Sequence, residues 1–427
     1  MTKPYLYETI DNGLRIVLIP KPSTEVATVM VIFGVGSRQE DDKIAGISHV
    51  LEHMHYKGGK KRPDTMSIAR FIESIGGEHN AFTGKEYTGY YAKVTPSHIE
   101  DAFDFLSDFL IYATISTREL TREKSVIIEE INMYEDLPME KVVANLEEGL
   151  LGKNALGREI IGTKKSVSSL TRNDLIEYKK RFYFGSNAII AIAGNFGKLS
   201  PDKIINLTKK YFPLQKVGEK QPQPIEITDE DIVKFSKKKT EQTHIAVGFR
   251  TVALEDDDFF ALDVLGIVLG GGMSSRMFDQ VREKRGLAYS VRTHTQNYRE
   301  SGLLFTQAGV PHEKVYDALQ AIMNEYRKVK TVTIPKWELD KAKEILTGKM
   351  LIKFEDSEEL ASHYATELIL TDKIMTPKEL ADRFRAVTAK EIIAVARKYF
   401  TRERCCVSVV SPKTDMDQIQ RIVKSKF

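Results

Sequence analysis

The sequence predicts an α+β protein built from two similar halves, and three observations carry that expectation. Strand-like runs come first, helical stretches follow and a buried strand closes the half, without the strict alternation of a doubly wound sheet. The pattern then begins again about half the chain later. Between the halves lies Pro213 to Pro224, with Gly218, Pro222 and polar residues, which reads as a linker. The expected division is a first domain at 1–212, a linker at 213–225 and a second domain at 226–427.

In order along the chain, Tyr7 to Ile10 and Leu14 to Ile19 flank Asp11-Asn12-Gly13, a strong short-loop turn signal, and predict a hairpin. Val26 to Phe33 predicts a further strand. Next come a helix at Gly46 to Met54, closed by Gly58-Gly59, and a second helix at about 65–75. A turn at Gly76-Gly77 leads into the strand pair Glu78 to Thr83 and Thr88 to Val94. Helices dominate from about 97 to 183, with breaks near Pro138 and around Gly152 to Gly162, before the apolar run Ala188 to Gly194. The internal repeat is clearest where Leu170-Thr171-Arg172-Asn173-Asp174-Leu175-Ile176 matches Val387-Thr388-Ala389-Lys390-Glu391-Ile392-Ile393. Each has a Thr three residues before an acid, and each helix ends in two aromatics, Phe182-Tyr183 and Tyr399-Phe400.

A chain of 427 residues is long enough for two domains with real cores, and 42% hydrophobic with 29% charged residues describes a globular protein. A net charge of +3, from 63 basic and 60 acidic residues, gives no electrostatic case for nucleic acid. No apolar run approaches a membrane span and the first residues lack a signal-peptide core, so the expected location is the cytoplasm. Cys405 and Cys406 are adjacent, poorly placed for a mutual disulfide, and are expected to pack in a late strand.

The chemistry concentrates in Gly46-Ile47-Ser48-His49-Val50-Leu51-Glu52-His53-Met54. On a helix His49, Glu52, His53 and Tyr56 share one narrow arc, while Val50, Leu51 and Met54 share the opposite one. Two histidines four apart can offer both imidazoles to one Zn²⁺, and a carboxylate beside them can take a proton from water on the metal. This is the H-x-x-E-H arrangement of zinc peptidases. A catalytic zinc needs a third protein ligand, and Arg122 to Ile131 supplies candidates. There Leu120, Ile127 and Ile131 mark the buried arc; Glu130 flanks it on the side shared with Glu123, and Glu129 points further towards solvent. Glu130 is the expected ligand, with Glu123 a supporting carboxylate; the alternative is a merely solvated acidic face. The second half has Phe260 to Gly266 where the first has the motif, so one half alone should carry metal. Gly270-Gly271-Gly272 is not followed by Gly-Lys-Ser, which argues against a phosphate loop.

These residues together resemble the M16 (pitrilysin-type, inverzincin) zinc peptidases, in the short two-domain branch that includes mitochondrial processing peptidase and bacterial relatives. Carrying the resemblance are Gly46 to Met54, Glu123 and Glu130, the Gly76 to Thr83 turn and strand, and Arg282-Glu283-Lys284-Arg285-Gly286-Leu287-Ala288-Tyr289. It implies two homologous domains, each a mostly antiparallel sheet packed with helices. It further implies Zn²⁺ on His49, His53 and Glu130, with Glu52 as general base and Glu123 in support. Asn80, Ala81, Phe82 and Thr83 would pair with an extended peptide substrate. Arg282 and Tyr289, which read without the resemblance as ordinary surface and strand residues, would hold the peptide carbonyl. The implied assembly is a homodimer enclosing a chamber, or a heterodimer with an inactive homologue; the implied activity is zinc-dependent endopeptidase cleavage of unfolded or extended peptides. The alternative is a noncatalytic, zinc-stabilised binding or assembly subunit of the same fold. One departure is Met54-His55-Tyr56-Lys57-Gly58-Gly59, where relatives more often have an aliphatic residue and Phe before Lys-Gly-Thr; His55 is expected off the metal, in or near the wall.

Overall fold

The computed structural model describes residues 3–218 and 233–427. The chain forms two compact units, and each draws on both halves of the sequence. Unit 1 is Met1–Ile131, Glu159–Gln223 and Leu351–Pro377; unit 2 is Asn132–Arg158, Pro224–Met350 and Lys378–Phe427.

Unit 1 is built on six strands: β1 (Leu6–Thr9), β2 (Arg15–Pro20), β3 (Ala27–Phe33), β4 (Glu78–Thr83), β5 (Thr88–Val94) and β6 (Ala188–Gly194), in the spatial order β1-β2-β6-β3-β5-β4. Every neighbouring pair is antiparallel except β2 with β6. Unit 2 holds β7 (Val233–Lys237), β8 (Thr243–Thr251), β9 (Ser290–Asn297), β10 (Gly302–Val310) and β11 (Cys405–Ser411), ordered β7-β11-β8-β10-β9. Here too only the β7–β11 pair is parallel. Without β1, the first sheet repeats the second strand for strand, so the two mostly antiparallel sheets are versions of one α+β plan. The helix repeat follows suit: Thr171 caps Arg172–Phe182 and Thr388 caps Ala389–Tyr399, each in a reciprocal capping box with the acid three residues on.

The contiguous division at 1–212 and 226–427 needs correction. β3 and β6 are buried at every position, so both faces of the sheet need cover. One face packs on helices of the first half, including Val50, Leu51 and Met54. The other, Val17, Ile19, Met30, Ile32, Ile189 and Ala191, is covered by Leu360, Ala361, Tyr364, Ala365 and Leu368 of the helix Ser357–Thr371. Unit 2 takes the reciprocal element: Val142, Leu146 and Leu150 of the helix Pro138–Leu151 cover Ala246, Leu303, Phe305 and Val410. Periodicity shows that a helix has an apolar stripe but not which sheet the stripe meets. Of the expected linker, 213–218 is described and the rest lies outside the described residues; Gln215 and Lys216 carbonyls accept from Gly185 and Ser186. Cys405 and Cys406 are free, buried residues of β11. Among the described residues no helix is long and apolar enough to cross a membrane.

If Ser357–Thr371 is a layer of unit 1, Leu368→Ala should cost about 2–4 kcal/mol. Amide exchange should then lose protection in β3 and β6; unchanged protection there with loss confined to unit 2 would contradict this assignment.

Candidate metal centre

The helix Ile47–His55 lies with Val50, Leu51 and Met54 fully buried under it. That rotation leaves His49, Glu52, His53 and Tyr56 half-buried on the other arc, as the periodicity predicts. The helix Thr117–Asp136 buries Leu120, Ile127 and Ile131 and thereby brings Glu123 and Glu130 to the same place. One ligand atom from each of His49, His53 and Glu130 lies within 4.8 Å of the other two, the one such group of potential metal ligands among the described residues. Nε2 of each histidine is 3.8 Å from Glu130 Oε2.

The neighbours set the orientation. Glu123 Oε1 accepts from His53 Nδ1 at 2.8 Å, which places the proton on Nδ1 and leaves the Nε2 lone pair facing His49 and Glu130. Lys57 Nζ donates to the other oxygen of the same carboxylate at 2.6 Å. Burial alone would raise the Glu123 pKa, but the His53 and Lys57 hydrogen bonds outweigh it and hold the carboxyl below its ordinary value. Burial, helped by His53, pushes His49 down to about 4, so its imidazole is neutral at physiological pH, the form that ligates metal. Glu130 and Glu52 are both raised, first by burial; for Glu52 a hydrogen bond from Thr83 Oγ1 and the nearby His53 oppose the shift, and Glu130 adds to it.

Two imidazole nitrogens and a carboxylate oxygen match the ligand set of a catalytic zinc site. Tetrahedral bonds of about 2.0–2.1 Å hold donors roughly 3.4 Å apart, and the 3.8 Å between Glu130 Oε2 and each Nε2 exceeds that by only a few tenths of an ångström. The fit is therefore good.

Thr83 ends β4, which among the described residues pairs with β5 alone and so presents an open edge beside Glu52. Along it Asn80 is exposed, and Ala81, Phe82 and Thr83 are half-buried. His55 is fully buried, its Nδ1 2.9 Å from Tyr90 Oη, in the wall and away from the ligand atoms. Arg282 and Tyr289 belong to unit 2 and are brought together there: the Arg282 guanidinium lies 5.5 Å from the Tyr289 ring and 4.7 Å from that of Phe278. Arg282 belongs to a short π-helical stretch, Phe278–Glu283, and Tyr289 is 76% exposed just before β9. Sequence reasoning gave Lys57 no role and saw Thr83 only as a substrate-strand residue. A Lys four residues after a ligand histidine lies one helical turn on, the one signal that could have flagged Lys57.

This site stands in a chain that closely tracks known relatives. An uncharacterized zinc protease of Bacillus subtilis (strain 168), YmxG, is 35% identical over 410 residues, covering 96% of this chain and 98% of its own length. The chain belongs to peptidase family M16. The M16 family model described as "Insulinase (Peptidase family M16)" matches residues 15–164 and the one described as "Peptidase M16 inactive domain" matches 169–346. The candidate centre falls wholly inside the first of these M16 segments. A Streptomyces coelicolor relative, also named an uncharacterized zinc protease, is 34% identical over 95% of this chain and 89% of its own. The M16 fold is matched by the crystal structure of a protease from Helicobacter pylori, with a TM-score of 0.88 at 23% identity over 96% of this chain and 99% of that one. A Pseudomonas fluorescens peptidase M16 inactive domain gives 0.88 at 17% identity, over 96% and 98%.

Equilibrium dialysis against Zn²⁺ should give one ion per chain, and Glu130→Gln should weaken that binding by at least about tenfold with the helical content unchanged. Undiminished affinity in the variant would remove Glu130 from the ligand set.

Proposed function

We propose that this M16 chain is a zinc-dependent endopeptidase acting on extended or unfolded peptides. The observation that carries the proposal is the convergence of His49, His53 and Glu130 on one point, with Glu52 held by Thr83 at the end of an open strand edge. His49, His53 and Glu130 would hold the ion. Zn²⁺ bound there supplies a Lewis acid that acidifies water and polarises a carbonyl.

The remaining work falls to the protein. Glu52 takes the proton of the attacking water and passes it to the leaving amine; its raised pKa, caused by burial, makes it a better base than an ordinary surface carboxylate. Glu123 and Lys57 keep the His53 ring in one tautomer and one orientation. The free edge of β4 offers main-chain hydrogen bonds to a peptide of any sequence, while Asn80, Ala81, Phe82 and Thr83 shape its preference. Arg282 and Tyr289 take the carbonyl-holding role that the family resemblance implies. The protein acts in this reading as a homodimer.

The decisive variant is Glu52→Gln. Zinc should stay bound at one ion per chain, while hydrolysis of a quenched fluorescent peptide should drop by at least about 10²–10⁴-fold. Full activity would sink the assigned base. Wild-type protein that is silent both with and without a chelator would instead point to a binding or assembly subunit.

Thr83 gives a pH prediction. Its hydroxyl lowers the Glu52 pKa against the raising effect of burial. Removing it in Thr83→Val should raise that pKa further, and Glu52 works ionised, so the acid limb of the kcat/KM profile should move to higher pH. Thr83→Ser should restore the wild-type limb. An acid limb unmoved by Thr83→Val would separate this hydrogen bond from catalysis.

A further inference from the structure

The helix that carries both histidines and the base begins without a cap of its own. Its N-cap residue is Gly46, at φ +91°, and a Cβ there would lie 2.6 Å from the Ile161 carbonyl oxygen, so no residue with a capping side chain fits. The cap comes from six residues upstream. Glu40, 4% exposed, accepts from Gly46 N–H at 2.7 Å with one carboxylate oxygen and from Ser48 N–H at 2.9 Å with the other. A carboxylate against two first-turn N–H groups satisfies them and complements the positive end of the helix dipole. His49 is the third residue of that turn.

The same loop grips the end of β4. Gly36 lies so close to Gly84 that a Cβ would come within 2.2 Å of its carbonyl oxygen. Ser37 N–H donates to Gly84 O at 3.2 Å, and Arg38 N–H to Lys85 O at 2.8 Å. Arg38 also forms an ion pair with Glu86 at 2.5 Å, both side chains only 4% exposed. Gly84 directly follows Thr83, the residue that holds Glu52. One brace of five residues, 36–40, thus fixes both the first turn of the metal helix and the end of the open strand.

We infer that Glu40, Arg38 and Glu86 are positioning residues with separable duties: Glu40 sets the metal ligands through the first helical turn, and the Arg38–Glu86 pair sets the strand edge against Glu52. The second duty rests on the peptidase reading proposed above; the first does not.

The test uses the full chain and two variants. Glu40→Gln keeps one oxygen acceptor but turns an N–H donor towards a backbone N–H; it should weaken Zn²⁺ binding about tenfold or more in competition with a chromogenic chelator. Arg38→Met with Glu86→Met replaces both charged members of the buried pair at once by apolar side chains of similar size. It should leave Zn²⁺ affinity at the wild-type value and lower kcat/KM for a fluorescent peptide about tenfold. Wild-type zinc affinity in Glu40→Gln overturns the proposal, as does a parallel fall of zinc affinity and peptide turnover in both variants, which a general loosening of the scaffold would give. Should Glu40→Gln not fold, Glu40→Asp, which keeps the charge and loses the reach, takes its place with the same reading. If the wild-type protein cleaves no peptide, the peptidase reading fails, and the zinc titration of the Glu40 variant still decides Glu40's role.

Discussion

Burial of Val50, Leu51 and Met54 fixes the rotation of a nine-residue helix, and the geometry of the candidate centre depends on that rotation. A helix this short has little stability of its own in water, so its place is set by packing and by its ends. Once the apolar arc faces the sheet, His49, Glu52 and His53 have one direction left. The same logic operates on the partner helix, where Leu120, Ile127 and Ile131 go inward and Glu123 and Glu130 follow two turns apart. Two amphipathic stripes, each read against its own core, intersect at a point that neither encodes alone.

Three carboxylates meet there in three different environments. Glu52 and Glu130 are raised by burial, whereas Glu123 is held down by His53 and Lys57. Carboxyl groups pushed apart in this way can take different roles on one small surface: a base, a ligand and a fixed anion that orients an imidazole. The division follows from which neighbour carries a compensating positive charge. Lys57 reaches Glu123 and leaves Glu52 to the hydroxyl of Thr83, a neutral donor that steadies the carboxylate without neutralising it.

Much of this was legible in the sequence because it is local or periodic. The motif arc, the buried arc of the ligand helix and the capping boxes at Thr171 and Thr388 all follow from spacing of three or four residues. So does the placement of His55, which turns away from the ligand atoms to meet Tyr90. What escaped notice is non-local: the cap that Glu40 gives to a helix beginning six residues later, the Lys57–Glu123 pair, and the reciprocal exchange of covering helices. None leaves a period in the sequence. Arg282 and Tyr289 stood out by resemblance alone, since a π-helical stretch has no simple apolar repeat to announce it.

The exchange of helices makes each sheet depend on a helix from the other half of the sequence. β3 and β6 carry apolar side chains on both faces, and the second face is closed by residues near 360–369, far beyond the end of the first sequence half. A fragment ending near residue 212 would expose Met30, Ile32, Ile189 and Ala191 as one contiguous apolar surface of the kind that drives association or misfolding. The second half has the same difficulty, because Leu303, Phe305 and Val410 are covered by the helix Pro138–Leu151. The half that, among the described residues, lacks a group of potential metal ligands is therefore required by the half that has one. Retaining a second sheet without ligands is then explained first by packing: it brings with it the helix that completes the sheet on which His49, Glu52 and His53 rest.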